Sequence, residues 1–269
     1  MESNNLGGMY EWNGQKLVVL ASTEDLAATT IAKELEKEGF AVWYLKDKSV
    51  LHASAEDLPP ADVFIVLSRH SSASGKRTLS THSVGNFSSE PPQLGGKPAC
   101  LGMAHAIIQS TLLRELSHAK NRLGLDCYDV VVEATHHGPA LTTPLTFVEV
   151  GSDSNAWADP VAGQAVAQSV ARILTAPPPL SSAPAVAVAF GGNHYPQKFT
   201  GLMIDERYYV GHICPRYAVN DLTRNLVKQM VMRTHPSTPQ VALFDKKGMR
   251  RKAEVREWLS DLNLDVVQV

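Results

Sequence analysis

Six of the ten histidines fall in four short segments, and each segment follows or interrupts a run that reads as a buried β-strand: SRHSSASGKRTLSTHS, EATHHGP, FGGNHYP and VGHICP. The first three follow DVFIVL, DVVVEA and AVAVAF, which puts His70, His136, His137 and His194 just beyond strand ends, with His82 farther along the first segment and His212 inside YYVGHIC. In an open α/β sheet, ligands bind outside the carboxyl ends of the strands, so side chains far apart in sequence converge there. Neutral imidazole is a good metal ligand and titrates closest to neutrality. Histidines converging beside a carboxylate such as Glu133 therefore suit a zinc ion or a general acid/base pair. Any one such histidine is more often a hydrogen-bonded loop or core residue; their repetition at strand ends points to a site.

Glu133 stands three residues before His136, where a carboxylate binds a metal, activates water, or orients a histidine from behind. Glu149, in TFVEVGSD, is a second strand-end carboxylate or simply the outward residue of an alternating strand. Between Arg69 and His82 the chain carries Arg69, His70, Lys76, Arg77 and His82 among hydroxyl residues, a mixture suited to holding a phosphate beside a histidine, or else a solvated loop. Gly191 and Gly192 permit close backbone approach next to Asn193 and His194, which suits substrate binding or a tight turn. Near the carboxyl terminus Lys246, Lys247, Arg250, Arg251 and Lys252 form either a solvated helix start or a local contact for an RNA backbone. No Walker loop, no G-x-G-x-x-G after a strand and no G-x-S-x-G elbow occurs, which argues against kinase, Rossmann dehydrogenase and α/β-hydrolase serine chemistry.

Elements that could position these residues alternate along the chain. KLVVLAS, AVWYL, DVFIVL, CYDVVVEA, LTFVEVG, AVAVAF, YYVGHIC, QVALFD and DVVQV read as strands. Helices are expected over residues 23–40, 105–123, 156–175, 220–233 and 249–259, and the first carries an acidic first turn with Gly39 just past its end. The expected fold is a three-layer α/β/α arrangement with a mixed, mainly parallel sheet. Residues 1–14 read as a flexible extension, 15–269 as one α/β domain, and APPPLSSAP near 176–184 as a connector. From Ser68 to Pro98 neither period is visible, which marks a functional or disordered loop.

A hydrophobic fraction of 44%, a charged fraction of 19% and a net charge of -2 describe an ordinary globular protein rather than a uniformly basic nucleic-acid binder. Three widely spaced cysteines, Cys100, Cys127 and Cys214, indicate neither a disulfide framework nor a zinc ribbon, and a reducing cytosol fits them best. With no signal-like amino terminus and no run of roughly 18 apolar residues, a cytoplasmic protein away from membranes is expected.

Taken together, SRHSSASGKRTLSTHSVGNF, EATHHGP with LTTPLTFVEVGS, and AFGGNHYPQKFT resemble the archaeal and plant type of D-aminoacyl-tRNA deacylase. The likeness runs from Lys16 to the QVALFDKKGMR region. It implies hydrolysis of the ester between a D-amino acid and the terminal ribose of tRNA, a fold related to phosphorylase and peptidyl-tRNA hydrolase architectures, and dependence on zinc. It carries a site onto His70, His82, Glu133, His136, His137 and His194, with His212 a weaker addition. On that reading Glu133, His136, His70 and Arg69 are catalytic. His70, His82, His137 and His194 are metal ligands, and Arg69 with the Gly191-Gly192 turn stabilises the oxyanion. Substrate contacts fall to Lys76, Arg77, Gly191, Gly192, Asn193, His212, Lys246, Lys247, Arg250 and Arg251. The partner is D-aminoacyl-tRNA rather than DNA, acted on by a monomer or a homodimer. A hydrolase of small amides or esters and a non-catalytic RNA-binding module are the alternatives.

Overall fold

A computed structural model describes residues 7–178, 184–246 and 249–269. The strands are β1 (Met9–Trp12), β2 (Gln15–Ser22), β3 (Trp43–Leu45), β4 (Val63–Ser71), β5 (Thr78–His82), β6 (Gly85–Asn86), β7 (Cys100–Leu101), β8 (Ala104–His105), β9 (Asp129–Val132), β10 (Leu145–Ser152), β11 (Val186–Phe190), β12 (Tyr209–Cys214), β13 (Thr234–His235), β14 (Val241–Phe244) and β15 (Asp265–Gln268). The helices are α1 (Leu26–Lys37), α2 (Ala106–Leu123), α3 (Ser154–Trp157), α4 (Pro160–Thr175), α5 (Gln197–Ile204), α6 (Arg224–Met232) and α7 (Lys252–Ser260).

The larger sheet runs β1-β2-β4-β10-β5-β9, with β3 beside β2 and β8 joining β10 to β13. Its pairings are parallel except β1 with β2 and β5 with β10. A second, wholly parallel sheet runs β12-β11-β14-β15. The mixed, mainly parallel α/β architecture is thus as the sequence suggests, with the strands divided between these two sheets and a small antiparallel pair of β6 and β7.

Strands β2 and β4 read as continuous apolar runs because both faces are covered. Leu17, Val19, Ile65 and Leu67 pack toward α1 and α4, whereas Val18, Leu20, Phe64 and Val66 pack with Leu145 and Phe147 on the opposite face. With a side-chain period of two, Ser68 and His70 of β4 and Glu149 of β10 continue that second face toward the carboxyl ends of both strands. The site is therefore the polar end of a face whose other end is hydrophobic core.

Three departures have clear causes. Residues 9–12, expected within a flexible extension, form β1, because Trp12 is fully buried with its ring centroid 5.3 Å from that of His105. The expected helix over 156–175 is two helices, since Asp159 caps a new start at Pro160, and proline is favoured at the first helical position. The stretch from Ser68 to Pro98 contains β5, a strand of Thr, Leu, Ser and His buried between β9 and β10. Its polar composition hides it from a search for apolar periodicity. Most of the connector near 176–184 lies outside the described residues.

Candidate active site

Register brings the first residues together. Phe147 lies opposite His82 on β5, and Gly151 lies opposite His70 on β4. A Cβ on Gly151 would stand 2.7 Å from both Cβ and Cδ2 of His70, so only glycine leaves that imidazole its place. Glu149 sits between these two positions and is almost fully buried. Glu133 follows β9 directly, and its backbone N–H continues the sheet by donating to Thr81 O at 2.9 Å.

The second sheet supplies the remainder. After β11 the Gly191-Gly192 turn, with φ of 106° and 74°, swings the chain back so that His194 O accepts from Ala134 N at 2.9 Å. Thr135 N donates to Ile213 O, and Ile213 N donates to Thr135 Oγ1, both at 3.0 Å. The segment 133–137 is thereby held by both sheets, and the histidines gather at their joint.

Glu133 is the hub of the cluster. Its Oε2 accepts a hydrogen bond from His194 Nε2 at 2.9 Å, while His70 Nδ1 stands 3.1 Å from Oε1 without hydrogen-bond alignment. The outer nitrogens of both imidazoles meet phenols: Tyr217 Oη donates to His194 Nδ1 at 3.0 Å and Tyr195 Oη to His70 Nε2 at 2.9 Å. Burial opposes charge on Glu133, but the hydrogen bond from His194 and the adjacent His70 hold its carboxyl well below the usual range. Burial also opposes charge on His70, yet Glu133 and then Glu149 outweigh it and raise the imidazole's proton affinity. Glu149 is pushed the other way, upward, by burial and by the charge of Glu133. Two carboxyl groups a few ångströms apart thus hold different protonation preferences, an arrangement that separates acid from base.

Three further imidazoles share one pattern. His82, His136 and His137 turn Nδ1 to the carbonyl oxygens of Ser83, Ala134 and Gly138, at 3.2, 2.8 and 2.6 Å. Donation there leaves Nε2 of His136 and His137 with a lone pair, whereas His82 Nε2 faces Glu149 Oε1 at 3.7 Å. Burial, reinforced by neighbouring imidazoles, lowers His136 to about 3 and His137 well below its usual value, so both rings stay neutral. One nitrogen from each of the three lies within 4.8 Å of the others. His82 Nε2 and Glu133 Oε1 are buried with no hydrogen-bond partner in the structure. Burial opposes charge on His82 as well, but Glu149 and then Glu133 outweigh it and raise its proton affinity. Three converging imidazoles braced by backbone carbonyls, two of them held neutral, fit a zinc ion once His82 gives up its proton.

A cavity of about 670 Å³ opens onto the cluster, lined by His70, His136, His137, His194, Glu149 and Phe147, and farther out by Arg69, Trp157 and Leu94. That volume suits a ligand larger than a single amino acid.

Other expected residues lie elsewhere. His212 is fully buried, with Nδ1 3.3 Å from Thr135 Oγ1 and Nε2 3.2 Å from Gly102 O, and burial lowers it to about 4; it is a core histidine rather than a substrate contact. The Gly191 N–H, expected at an oxyanion, donates to Cys214 O at 2.8 Å. Gly192 and Asn193 line a separate pocket of about 250 Å³ with Arg216 and Lys198. Arg77 joins Tyr128 and Asp159 through Nη1, and Arg251 holds Glu254 and the carbonyls of Val219, Asn220 and Leu222, and neither lines the cavity. Lys76, Lys246 and Arg250 are exposed and outside the cavity, and Lys247 is outside the described residues. Tyr195, within FGGNHYP, and Tyr217 were not singled out from the sequence, because a tyrosine beside a histidine has no distinguishing spacing.

The description D-aminoacyl-tRNA deacylase matches residues 57–267 of this chain at the family level. Among individual relatives bearing that name, one from Staphylothermus marinus is 40% identical over 191 residues, covering 70% of this chain and 67% of its own. A second, from Methanocaldococcus jannaschii, is 34% identical over 243 residues, covering 87% and 91%. A third, from Methanosarcina acetivorans, is 30% identical over 287 residues, covering 95% and 93%. The fold is also that of a crystal structure of a conserved protein of unknown function, with a TM-score of 0.84, 23% identity and 94% of each chain covered. On these matches the chain belongs to the D-aminoacyl-tRNA deacylase family.

Proposed function

We propose that the chain hydrolyses the ester that joins a D-amino acid to the terminal ribose of tRNA, and that the Glu133-centred cluster is where it does so. The observation that carries this reading is the pairing of buried Glu133 with His194 and His70, which line a cavity large enough for an aminoacyl nucleoside. His70, whose proton affinity the two carboxylates raise, is the general base. It takes a proton from water at Nε2 as Tyr195 yields that position, and the water oxygen adds to the ester carbonyl. The acyl–oxygen bond then breaks and the ribose oxygen recovers the proton, so one water is consumed per amino acid released. Glu133 keeps the imidazoles oriented and balances the positive charge that His70 acquires.

His82, His136 and His137 are the residues that would hold zinc, with His194 and Glu133 alongside. The chemistry such an ion supplies when bound is Lewis-acid polarisation of an oxygen. Among the described residues no helix is long and apolar enough to cross a membrane, and a tRNA substrate places the work with cytoplasmic translation.

The test is release of labelled tyrosine from D-tyrosyl-tRNA and L-tyrosyl-tRNA by metal-free protein, with and without zinc. Release of the D form alone is expected, stimulated by zinc. Metal-independent release keeps the reaction and removes the ion from it; no release of the D form in either condition overturns the reading.

A further inference from the structure

The outer wall of the cavity carries a pair of side chains that the proton transfers proposed above do not use, among them Arg69, expected at the oxyanion. Trp157 ends α3 and is only partly buried. Its Nε1–H donates to the backbone carbonyl of His70 at 2.8 Å, which fixes the indole beside the residue assigned above as base. The Arg69 guanidinium carbon lies 5.4 Å from the centroid of that ring. Arg69 is exposed, and its side chain makes no ion pair or hydrogen bond among the described residues.

The strand places this pair with care. The carboxylate of Asp25 accepts from Arg69 N at 3.0 Å and from Ser68 Oγ at 3.3 Å, while its other oxygen caps α1 by accepting from Ala28 N at 3.0 Å. The end of β4 is thus pinned through its backbone, and the guanidinium remains free to turn to a ligand. An anchored indole and an unpaired guanidinium in one cavity wall are what stacks a nucleobase: rings and guanidinium planes both serve as platforms, and the cation also attracts the adjoining phosphate.

We propose that Trp157 and Arg69 form the subsite for the terminal adenine of the acyl acceptor, seated so that the ribose ester reaches the Glu133 cluster. The proposal deepens the deacylase reading and rests on it for the identity of the base. Stacking is tolerant of amino-acid identity, so this subsite supplies affinity common to every aminoacyl-tRNA and leaves discrimination to the inner cavity.

Two esters of D-tyrosine that differ only in the base, one of adenosine and one of methyl riboside, provide the test, together with calorimetric binding of AMP. In the wild type kcat/KM for the adenosine ester is expected to exceed that for the riboside ester by about five- to a hundredfold, the range base stacking supports. In Trp157→Leu that ratio falls close to one. Arg69→Met reduces it, and Trp157→Phe, which keeps a ring, largely preserves it. AMP affinity follows the same order. A ratio equal in all four proteins overturns the subsite while the deacylase reading stands. Should neither ester be cleaved, AMP binding still decides: affinity lost in Trp157→Leu and kept in Trp157→Phe supports the platform, and equal affinity in all overturns it. If Trp157→Leu fails to fold, the exposed Arg69→Met decides alone, an unchanged ratio overturning the proposal.

Discussion

At the scale of residues, the site turns on which nitrogen of each histidine is engaged. His82, His136 and His137 spend Nδ1 on backbone carbonyls, whereas His70 and His194 spend one nitrogen on Glu133 and accept from a tyrosine at the other. Within the first kind, His136 and His137 are held as neutral lone-pair donors while Glu149 raises the proton affinity of His82; those of the second kind are oriented proton carriers. Tyr195 is a positioning residue in this scheme, fixing the His70 ring through Nε2. Because Tyr195 leaves Nε2 before that nitrogen takes a proton, replacing it by phenylalanine removes a hydrogen bond of about 1–1.5 kcal/mol that is made before the step and not during it, so kcat is expected to rise by up to about tenfold with KM little changed. Steady-state kinetics on D-tyrosyl-tRNA checks this; a rise in KM at constant kcat would instead make Tyr195 a substrate contact. The sequence places His70, Glu133, His136, His137 and His194 at strand ends correctly. It cannot separate the two kinds of imidazole, because tautomer depends on the carbonyl or carboxylate that each ring meets.

Among the elements, α2 ties the two sheets to each other. Gln109 on its buried face donates to Val210 O and Gly211 O of β12 and accepts from Ser83 Oγ just beyond β5. The helix begins at His105, whose Nδ1 accepts from Ile108 N at 3.2 Å, an unusual cap that works only while that nitrogen is unprotonated. Burial, with His235 adding to it, lowers His105 to about 3. As pH falls below 6.5 the unfolded chain takes up a proton here and the folded chain does not, so stability is full above 6.5 and declines toward 3. His105→Asn keeps a capping oxygen and removes the titration. Between pH 7 and 5 the variant is expected to lose about 2 kcal/mol less stability than the wild type, as measured by urea unfolding. Equal losses would show that His105 is protonated in the folded state. The helix start near residue 105 follows from sequence, since apolar periodicity begins just after it, but the cap does not, because histidine is not a usual capping residue. Strand β5 does not, and without it Glu149 reads equally well as an outward residue, because its burial comes from a neighbour that apolar patterning does not reveal.

For the molecule as a whole, the site is a joint: β4, β5 and β10 of one sheet carry His70, His82 and Glu149, the loop after β9 carries Glu133, His136 and His137, and the second sheet delivers His194. A ligand bound there engages groups whose separation is set by the folded arrangement of both sheets. The unfolded chain presents those groups far apart, so binding adds directly to folding stability. If His82, His136 and His137 hold zinc, free zinc at a hundred times its Kd is expected to add about 2.7 kcal/mol, or roughly 5 °C in Tm for a chain of this size. Calorimetry of metal-free protein with increasing zinc measures the effect without recourse to activity. His137→Ala removes one of three converging nitrogens and should abolish the shift, whereas a variant remote from the joint, such as Glu257→Gln on the exposed face of α7, should keep it. A zinc-dependent shift that survives His137→Ala would move the ion to the Glu133, His136 and His194 group, which keeps His136, adds Glu133 from the same loop and takes His194 from the second sheet. No shift at all would leave these imidazoles as hydrogen-bonding and acid/base groups, and would assign the cohesion of the joint to the backbone bonds from Ala134 and Thr135 to the second sheet.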